Sequence, residues 1–277
     1  MNLLLHPLSQ KRYDQIVAHT PQSVLLVAPR GSGKESILRQ LAKDILGEKA
    51  VGRLFELNPP EDKNSIGIEA IRELKNSLRL KSDKKRVILI SQAHLMTVEA
   101  QNSFLKLLEE PPAQVYFLMG VCVISDVLQT IKSRTSVWRL TMPTYQQINV
   151  YFSGYPSDKL AKTMAIAGTK VGLISSLLKD TDHPLLHEID YAKEILASNH
   201  FERLIKVDAL SKDQAQTALV LEAMELICKA ALEHAATKQT QNIKQWNKRL
   251  KQVVKAQDLL ATNVQPKLVL SHLFMVL

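Results

Sequence analysis

Cysteine is scarce in this chain: 277 residues carry two, Cys122 and Cys228. Neither belongs to a Cys-x-x-Cys pair, so no zinc module and no disulfide framework is signalled, and a reducing, cytoplasmic compartment is the expectation. Aromatic residues make up 5% of the chain, with two tryptophans, Trp138 and Trp246. Without an aromatic array there is no stacking platform for single-stranded nucleic acid, and both tryptophans read as packing residues. Long apolar runs are missing as well. The longest useful one, Val115 to Ile124, is about ten residues, where a membrane helix needs about twenty. Met1 to Pro7 lacks a basic n-region and is too short for a signal h-region, so no leader is expected. Internal repeats and low-complexity tracts are absent.

Acidic residues are outnumbered by basic ones, 27 to 36, for a formal net charge of +9. A basic surface draws polyanions through counterion release without sequence readout. The local basic signal is Lys244, Lys248, Lys251 and Lys255, whose spacing of four, three and four places them on one helix face. Ile243, Leu250, Val253, Val254 and Ala256 fall largely elsewhere on that helix. Two readings stay open for the lysines, a solvated face and a contact for nucleic acid or an acidic partner.

Residues 28–35 read Ala-Pro-Arg-Gly-Ser-Gly-Lys-Glu. This approaches the phosphate-loop pattern G-x-x-x-x-G-K-[ST], in which backbone N–H groups and a lysine hold phosphates and a hydroxyl binds Mg²⁺. Gly31, Ser32, Gly33 and Lys34 supply the cradle, while Ala28 and Glu35 depart from the pattern. A carboxylate at position 35 repels the phosphates it would face. Ser36 comes one residue too late to replace the hydroxyl. Phosphate-loop ATPases also need acidic residues at the end of an apolar strand, for the metal shell and the attacking water. Here Val87 to Ile90 runs into Ser91-Gln92-Ala93-His94, and neither Ser91 nor Gln92 is a carboxylate. His94 is near enough in sequence to be weighed as a substitute base, but a histidine just past a strand end is more often a local hydrogen-bonding residue. Little or no hydrolysis by this site is expected.

The first half alternates strands and helices. Ser23 to Ala28 reads as a strand entering the glycine loop, and Lys34 to Leu46 has helical spacing through Ile37, Leu38, Leu41 and Ile45. Further strands are expected at 53–57, 86–90, 115–121 and 137–140, with helices at 68–80 and 98–110, the latter stopped by Pro111-Pro112. Such alternation implies a parallel sheet covered on both faces. After Met142-Pro143-Thr144 the strand signals fade. Thr144 is placed to cap a helix through Phe152, and a short helical unit follows between Gly168 and Asp180. The fold class is therefore α/β followed by all-α: a core at 1–143, a small helical lid at 144–190 and a helical domain at 191–277. Leu219, Leu221, Met224, Leu226 and Ile227 exceed what one helix can hide alone, so they pack within a bundle or against other subunits.

Two other clusters carry little. His183 and His187 are four apart, but Pro184 intervenes and no third ligand is suitably spaced, so no metal is expected. Glu109 and Glu110 are adjacent on a helix, point in different directions and read as a solvated helix end.

Asn58 to Asp62, Ile66-Gly67-Ile68, Ile71 to Leu74, the run Ala100 to Pro112 ending Leu-Leu-Glu-Glu-Pro-Pro, and Thr130 to Thr135 with its Ser-Arg pair together resemble bacterial clamp-loader subunits. Those are AAA+ proteins that load the sliding clamp for DNA polymerase III, and the delta prime group, whose nucleotide sites are often decayed, is the most similar. The resemblance runs from about residue 24 to 140, with the tail matching in architecture alone. It implies a phosphate-loop AAA+ core, a lid and an oligomerisation collar. It also implies that Arg134, with Ser133, reaches a neighbouring motor subunit's ATP as an arginine finger, supplying a fixed positive charge where negative charge spreads over the γ-phosphoryl oxygens.

Departures from the family matter, and Glu35, Ser91-Gln92, Val121-Cys122 and Val171 among them point toward a defunct nucleotide site. The four zinc cysteines of motor members are missing, Thr135 replaces the usual cysteine, Val121 and Cys122 replace the polar γ-phosphate sensors, and Gly168 to Gly172 lacks the lid arginine, with Lys170 its nearest substitute. The implied role is a non-motor subunit within the DNA polymerase III holoenzyme. Its partners would be motor and delta-type clamp-loader subunits, the sliding clamp and primed DNA, with no membrane. No cofactor is required, residual ATP or ADP binding stays open, and no zinc is expected. Two alternatives remain: a motor subunit with an unusual ATPase built on Lys34 and Glu35 or His94, and a stand-alone DNA-binding adaptor on a decayed AAA+ fold.

Overall fold

The computed structural model describes residues 3–47, 52–60, 63–78, 83–180, 182–237, 242–262 and 264–277. Glu61 and Asp62 of the family-like segment and the last two residues of the helix expected at 68–80 lie outside them. Contacts divide the chain into two compact units, 1–154 with 169–173, and 155–168 with 174–277.

The first unit is built on five strands: β1 (Ser23–Val27), β2 (Leu54–Glu56), β3 (Arg86–Ile90), β4 (Val115–Val121) and β5 (Ser136–Arg139). All pairings are parallel, in the order β2-β3-β4-β1-β5. Every residue of β3 is buried, as are nearly all of β1 and β4, the pattern of strands covered on both faces. Side chains alternate between those faces. Leu25, Ile88, Ile90, Phe117 and Met119 meet Ile71 and Leu74 of α3 (Ile68–Leu78) and Phe104 of α4 (Val98–Glu109). Phe104 stands edge-on to Phe117 with ring centroids 5.2 Å apart, and burying a ring of this size contributes about 1.5–3 kcal/mol. Val24, Leu26, Val87, Leu89 and Leu118 face the other way, onto Ile37, Leu38 and Leu41 of α2 (Lys34–Leu46) and Tyr13 and Ile16 of α1 (Pro7–Ala18).

α1 is absent from the sequence expectations because its periodicity is weak. It starts on Pro7 with the His6 Nδ1 accepting from Leu8 N–H at 3.2 Å. The helix is tied beside β5: Ser9 Oγ donates to Thr141 O and accepts from Thr141 N–H, and Arg12 donates to Ser136 Oγ. Two short helices follow the later strands, α5 (Gln129–Ser133) and α6 (Tyr145–Tyr151). Thr144 caps α6 in a reciprocal box with Gln147, as its position before a helical run predicts.

The second unit is helical. It holds α7 (Ser157–Ala167), all but the first turn of α8 (Val171–Lys179), α9 (Pro184–Ala197), α10 (His200–Leu210), α11 (Gln214–Thr237), α12 (Ile243–Ala261) and α13 (Pro266–Val276). α11 is the axis, about 36 Å long at 1.5 Å per residue, and α7, α9 and α12 pack along it. Leu221, Met224 and Leu226 are buried there, while Leu219 and Ile227 are half-buried. Arg203 of α10 is buried and donates to Ile195 O and Leu196 O, two orphan carbonyls at the end of α9. Burial holds that guanidinium below its ordinary range. The Cys228 thiol, buried on α11, is pushed up to about 11 by desolvation and stays protonated.

Candidate functional site

The loop leaving β1 turns into α2 through two glycines at positive φ, Gly31 at 77° and Gly33 at 87°, a region other residues avoid. Gly33 caps α2, its carbonyl accepting from Ile37 N–H at 3.0 Å, and Ser32 N–H bonds Pro29 O at 3.2 Å. The backbone thus takes the strand, loop and helix course of a phosphate cradle, beyond the carboxyl end of a parallel strand. Gly31, Ser32, Gly33 and Lys34 come together here as expected from spacing.

The side chains around that cradle are committed elsewhere. Lys34 Nζ lies 3.4 Å from the Cys122 Sγ, just past β4. Its stem crosses Gly120, where an added Cβ would stand 3.0 Å from Lys34 Cδ and 2.6 Å from Ser91 O. Gly120 therefore floors the site, and only the three-dimensional stacking of β3, β4 and α2 reveals it. Glu35 turns outward onto Arg39, with Nε and Nη2 donating at 3.0 and 2.7 Å, and Arg39 also pairs with Glu56. The bond to Glu35 is the main reason the Arg39 guanidinium is held above its ordinary range. Ser91 is buried and Gln92 exposed, followed by a 3-10 turn at Ala93–Leu95. Among the described residues no three His, Cys, Asp or Glu side chains form a group able to hold a metal.

His94 does reach the neighbourhood of the cradle. Burial lowers its pKa, helped by the positive charges of Lys34 and Arg30 and opposed by Asp126. The imidazole is therefore neutral at pH 7 and a weaker base than an exposed histidine. Its Nδ1 and the buried Ser32 hydroxyl have no hydrogen-bond partner among the described residues.

Residues 169–173 belong to the same unit as the sheet and lie on the glycine loop. Leu173 N–H donates to Gly31 O at 2.8 Å, and the Lys170 stem sits against Gly31. The structure thus brings Lys170 to the loop.

At another corner of the sheet unit, Ser133 ends α5 and Arg134 is its C-cap. The guanidinium donates from Nε and Nη2 to Glu109 Oε1 at 2.9 and 2.7 Å, and from Nη1 to Thr130 O and Ser133 Oγ. Its side chain keeps 35% of its accessible surface. Glu109, read from sequence as a solvated helix end, orients this arginine; the two are 25 residues apart, and local patterning carries no sign of the pair.

In the helical unit, Lys244, Lys248, Lys251 and Lys255 all lie exposed on α12, with Val253 and Ala256 buried on its other side and Ile243 and Val254 exposed. Trp246 stacks with Arg249 at 5.0 Å, and Trp138 is buried beside Tyr13. His183 caps α9 and His187 pairs with Asp182 at 2.8 Å. No helix among the described residues is long and apolar enough to cross a membrane.

The family described as "DNA polymerase III, delta subunit" matches residues 54–144. The delta prime subunit of DNA polymerase III from Yersinia pestis is 29% identical over 142 residues, 44% of this chain and 42% of that protein. The one from Haemophilus influenzae is 29% identical over 160 residues, 50% of this chain and 48% of that protein. These matches span less than half the length of the curated relatives. Among solved structures, a DNA polymerase III gamma subunit-related protein from Thermotoga maritima superposes with a TM-score of 0.57, covering 97% of each chain at 17% identity, which shows a shared fold.

Proposed function

We propose that this chain, which these matches support as a clamp-loader AAA+ protein close to the delta prime subunits, is a non-motor subunit of a clamp loader that serves DNA polymerase III. In this reading the sheet unit contributes a catalytic group to a neighbour and does no chemistry in its own cradle. The observation that carries it is the contrast in charged groups. Where a metal-bound triphosphate would need carboxylates, β3 ends in Ser91 and Gln92 and the Glu35 carboxylate is spent on Arg39. At the Ser133-Arg134 corner a permanently charged guanidinium is oriented by Glu109, Thr130 and Ser133 while a third of it faces outward. A rigidly aimed guanidinium is what stabilisation of a dispersed phosphoryl charge requires, because reorganisation at the moment of transfer is avoided.

The helical regions supply assembly in the same reading: the helices from α6 up to α8 as a lid and those from α9 onward as a collar. Exposed apolar side chains on α10 and α13, Phe201, Ile205, Leu268 and Met275, support a protein contact there. The motor subunits, the sliding clamp and primed DNA are the proposed partners, in a cytoplasmic complex.

The test is reconstitution with co-purified motor subunits and measurement of DNA- and clamp-stimulated ATP hydrolysis. Arg134→Ala should assemble normally and lose most of the complex's turnover. Unchanged turnover would remove the trans-acting role, and turnover by the isolated chain that depends on Lys34 would make it a motor.

A further inference from the structure

We propose that residues 169–173 are a built-in seal on the phosphate loop, and that Gly172 is the residue on which the seal depends. The inference is independent of the assembly reading above, since it concerns what the isolated sheet unit does with its own cradle.

Glycines in a phosphate loop keep side chains out of the space that phosphate oxygens occupy. In this protein that space holds the chain's own backbone. A Cβ placed on Gly172 would lie 2.5 Å from Gly33 N, 2.7 Å from Gly33 Cα and 2.9 Å from Gly31 O, separations that real Cβ atoms do not adopt. Conversely, a Cβ on Gly33 would meet Gly172 N and Cα at 3.6 Å, and one on Gly31 would meet Leu173 Cβ at 3.1 Å. Three glycines from two distant segments are thus pressed backbone to backbone. The Leu173 N–H to Gly31 O bond at 2.8 Å pins the contact, and the Lys170 stem covers its flank.

Gly33 N is one of the donors at the start of α2 that would bind a phosphate, so Gly172 and a phosphate compete for one position. The buried Ser32 hydroxyl, without a hydrogen-bond partner among the described residues, agrees with a polar loop that has been covered rather than rebuilt for a new purpose. Side-chain losses at positions 35, 91 and 92 weaken nucleotide binding by removing favourable contacts. The seal acts differently, by occupying volume, and it would exclude inorganic pyrophosphate as effectively as a nucleotide.

Two measurements on the purified chain test this directly: titration with inorganic pyrophosphate and a fluorescent ADP analogue, and amide hydrogen exchange at Leu173 and Gly33. Wild type should show no saturable binding of either ligand up to millimolar concentration, with a protected Leu173 amide. Gly172→Val should raise Leu173 exchange by at least about tenfold, as local opening replaces a closed contact, and should admit pyrophosphate. Unprotected exchange at Leu173 in wild type would overturn the seal, as would pyrophosphate binding while Leu173 stays protected. A folded Gly172→Val chain with unchanged exchange and no binding would overturn the role of Gly172. Should that variant fail to fold, the two wild-type measurements decide the matter.

Discussion

The glycine loop and the Arg134 corner belong to one sheet unit and are finished in opposite ways. At the loop, backbone lies on backbone, the lysine ends on a thiol and the nearby carboxylate is turned away onto an arginine. At the corner, a charged group is kept at the surface and aimed by three neighbours. The difference teaches that a glycine loop opening a helix after a parallel strand can be kept for its shape while its backbone is covered and its side chains are paired elsewhere. The sheet order needs a helix after β1 whether or not phosphate is bound there. The corner arginine, by contrast, ties Glu109 of α4 to Thr130 of α5 while part of its guanidinium stays exposed.

The sharpest way to break that contrast is Arg134→Ala. Turnover of the assembled complex should fall by on the order of 10³, the scale on which a trans-acting arginine operates, with the chain's own unfolding midpoint almost unchanged. A loss of stability instead would recast the corner as structural. On the closed side, Gly120→Ala should cost about 1–3 kcal/mol in urea denaturation, because the new methyl meets Ser91 O and the Lys34 stem with no room to relax. A neutral effect there would mean the floor is looser than the packing indicates.

A smaller effect concerns pH. The His94 pKa is lowered in the folded state from its ordinary 6.5, chiefly by burial, so the unfolded chain binds the proton more readily. The stability that neutral His94 contributes is therefore complete above pH 6.5 and is lost as pH falls below it, through the folded-state pKa. Comparing unfolding midpoints at neutral and mildly acidic pH, with His94→Asn as reference, should show a steeper acid loss in wild type. The smallest expected change is Glu35→Thr. It restores the hydroxyl of the motif, yet ATP turnover by the isolated chain should stay at background, and loss of the exposed pair with Arg39 should cost less than about 1 kcal/mol. Appearance of turnover would show that one residue, and not the closed loop, had silenced the site.

Much of this arrangement is legible in the residue order, and the boundary of legibility is physical. Lys34–Leu46, Arg86–Ile90 and Val115–Val121 have the limits that their apolar periodicity sets, because each is strongly patterned and flanked by glycine, proline or charge. The cap at Thr144 follows from local hydrogen bonding alone. What stays hidden depends on distant partners: Glu109 on Arg134, Gly172 on Gly33, Gly120 beneath Lys34. α1 is missed for a different reason, since its mostly polar helix buries only Ser9, Tyr13 and Ile16. The limit expected at residue 190 falls within α9, a helix whose periodicity runs across it.

The clasp between Ser9 and Thr141 spans 132 residues, and the interior strand β1 finds its neighbours only in β4 and β5. On a ribosome, the Val24, Leu25 and Leu26 stretch would emerge long before the strands that cover it. At ordinary synthesis rates the wait is roughly ten seconds, ample time for a holdase to bind an uncovered apolar segment. Completion of the sheet is thus timed by the appearance of Thr141.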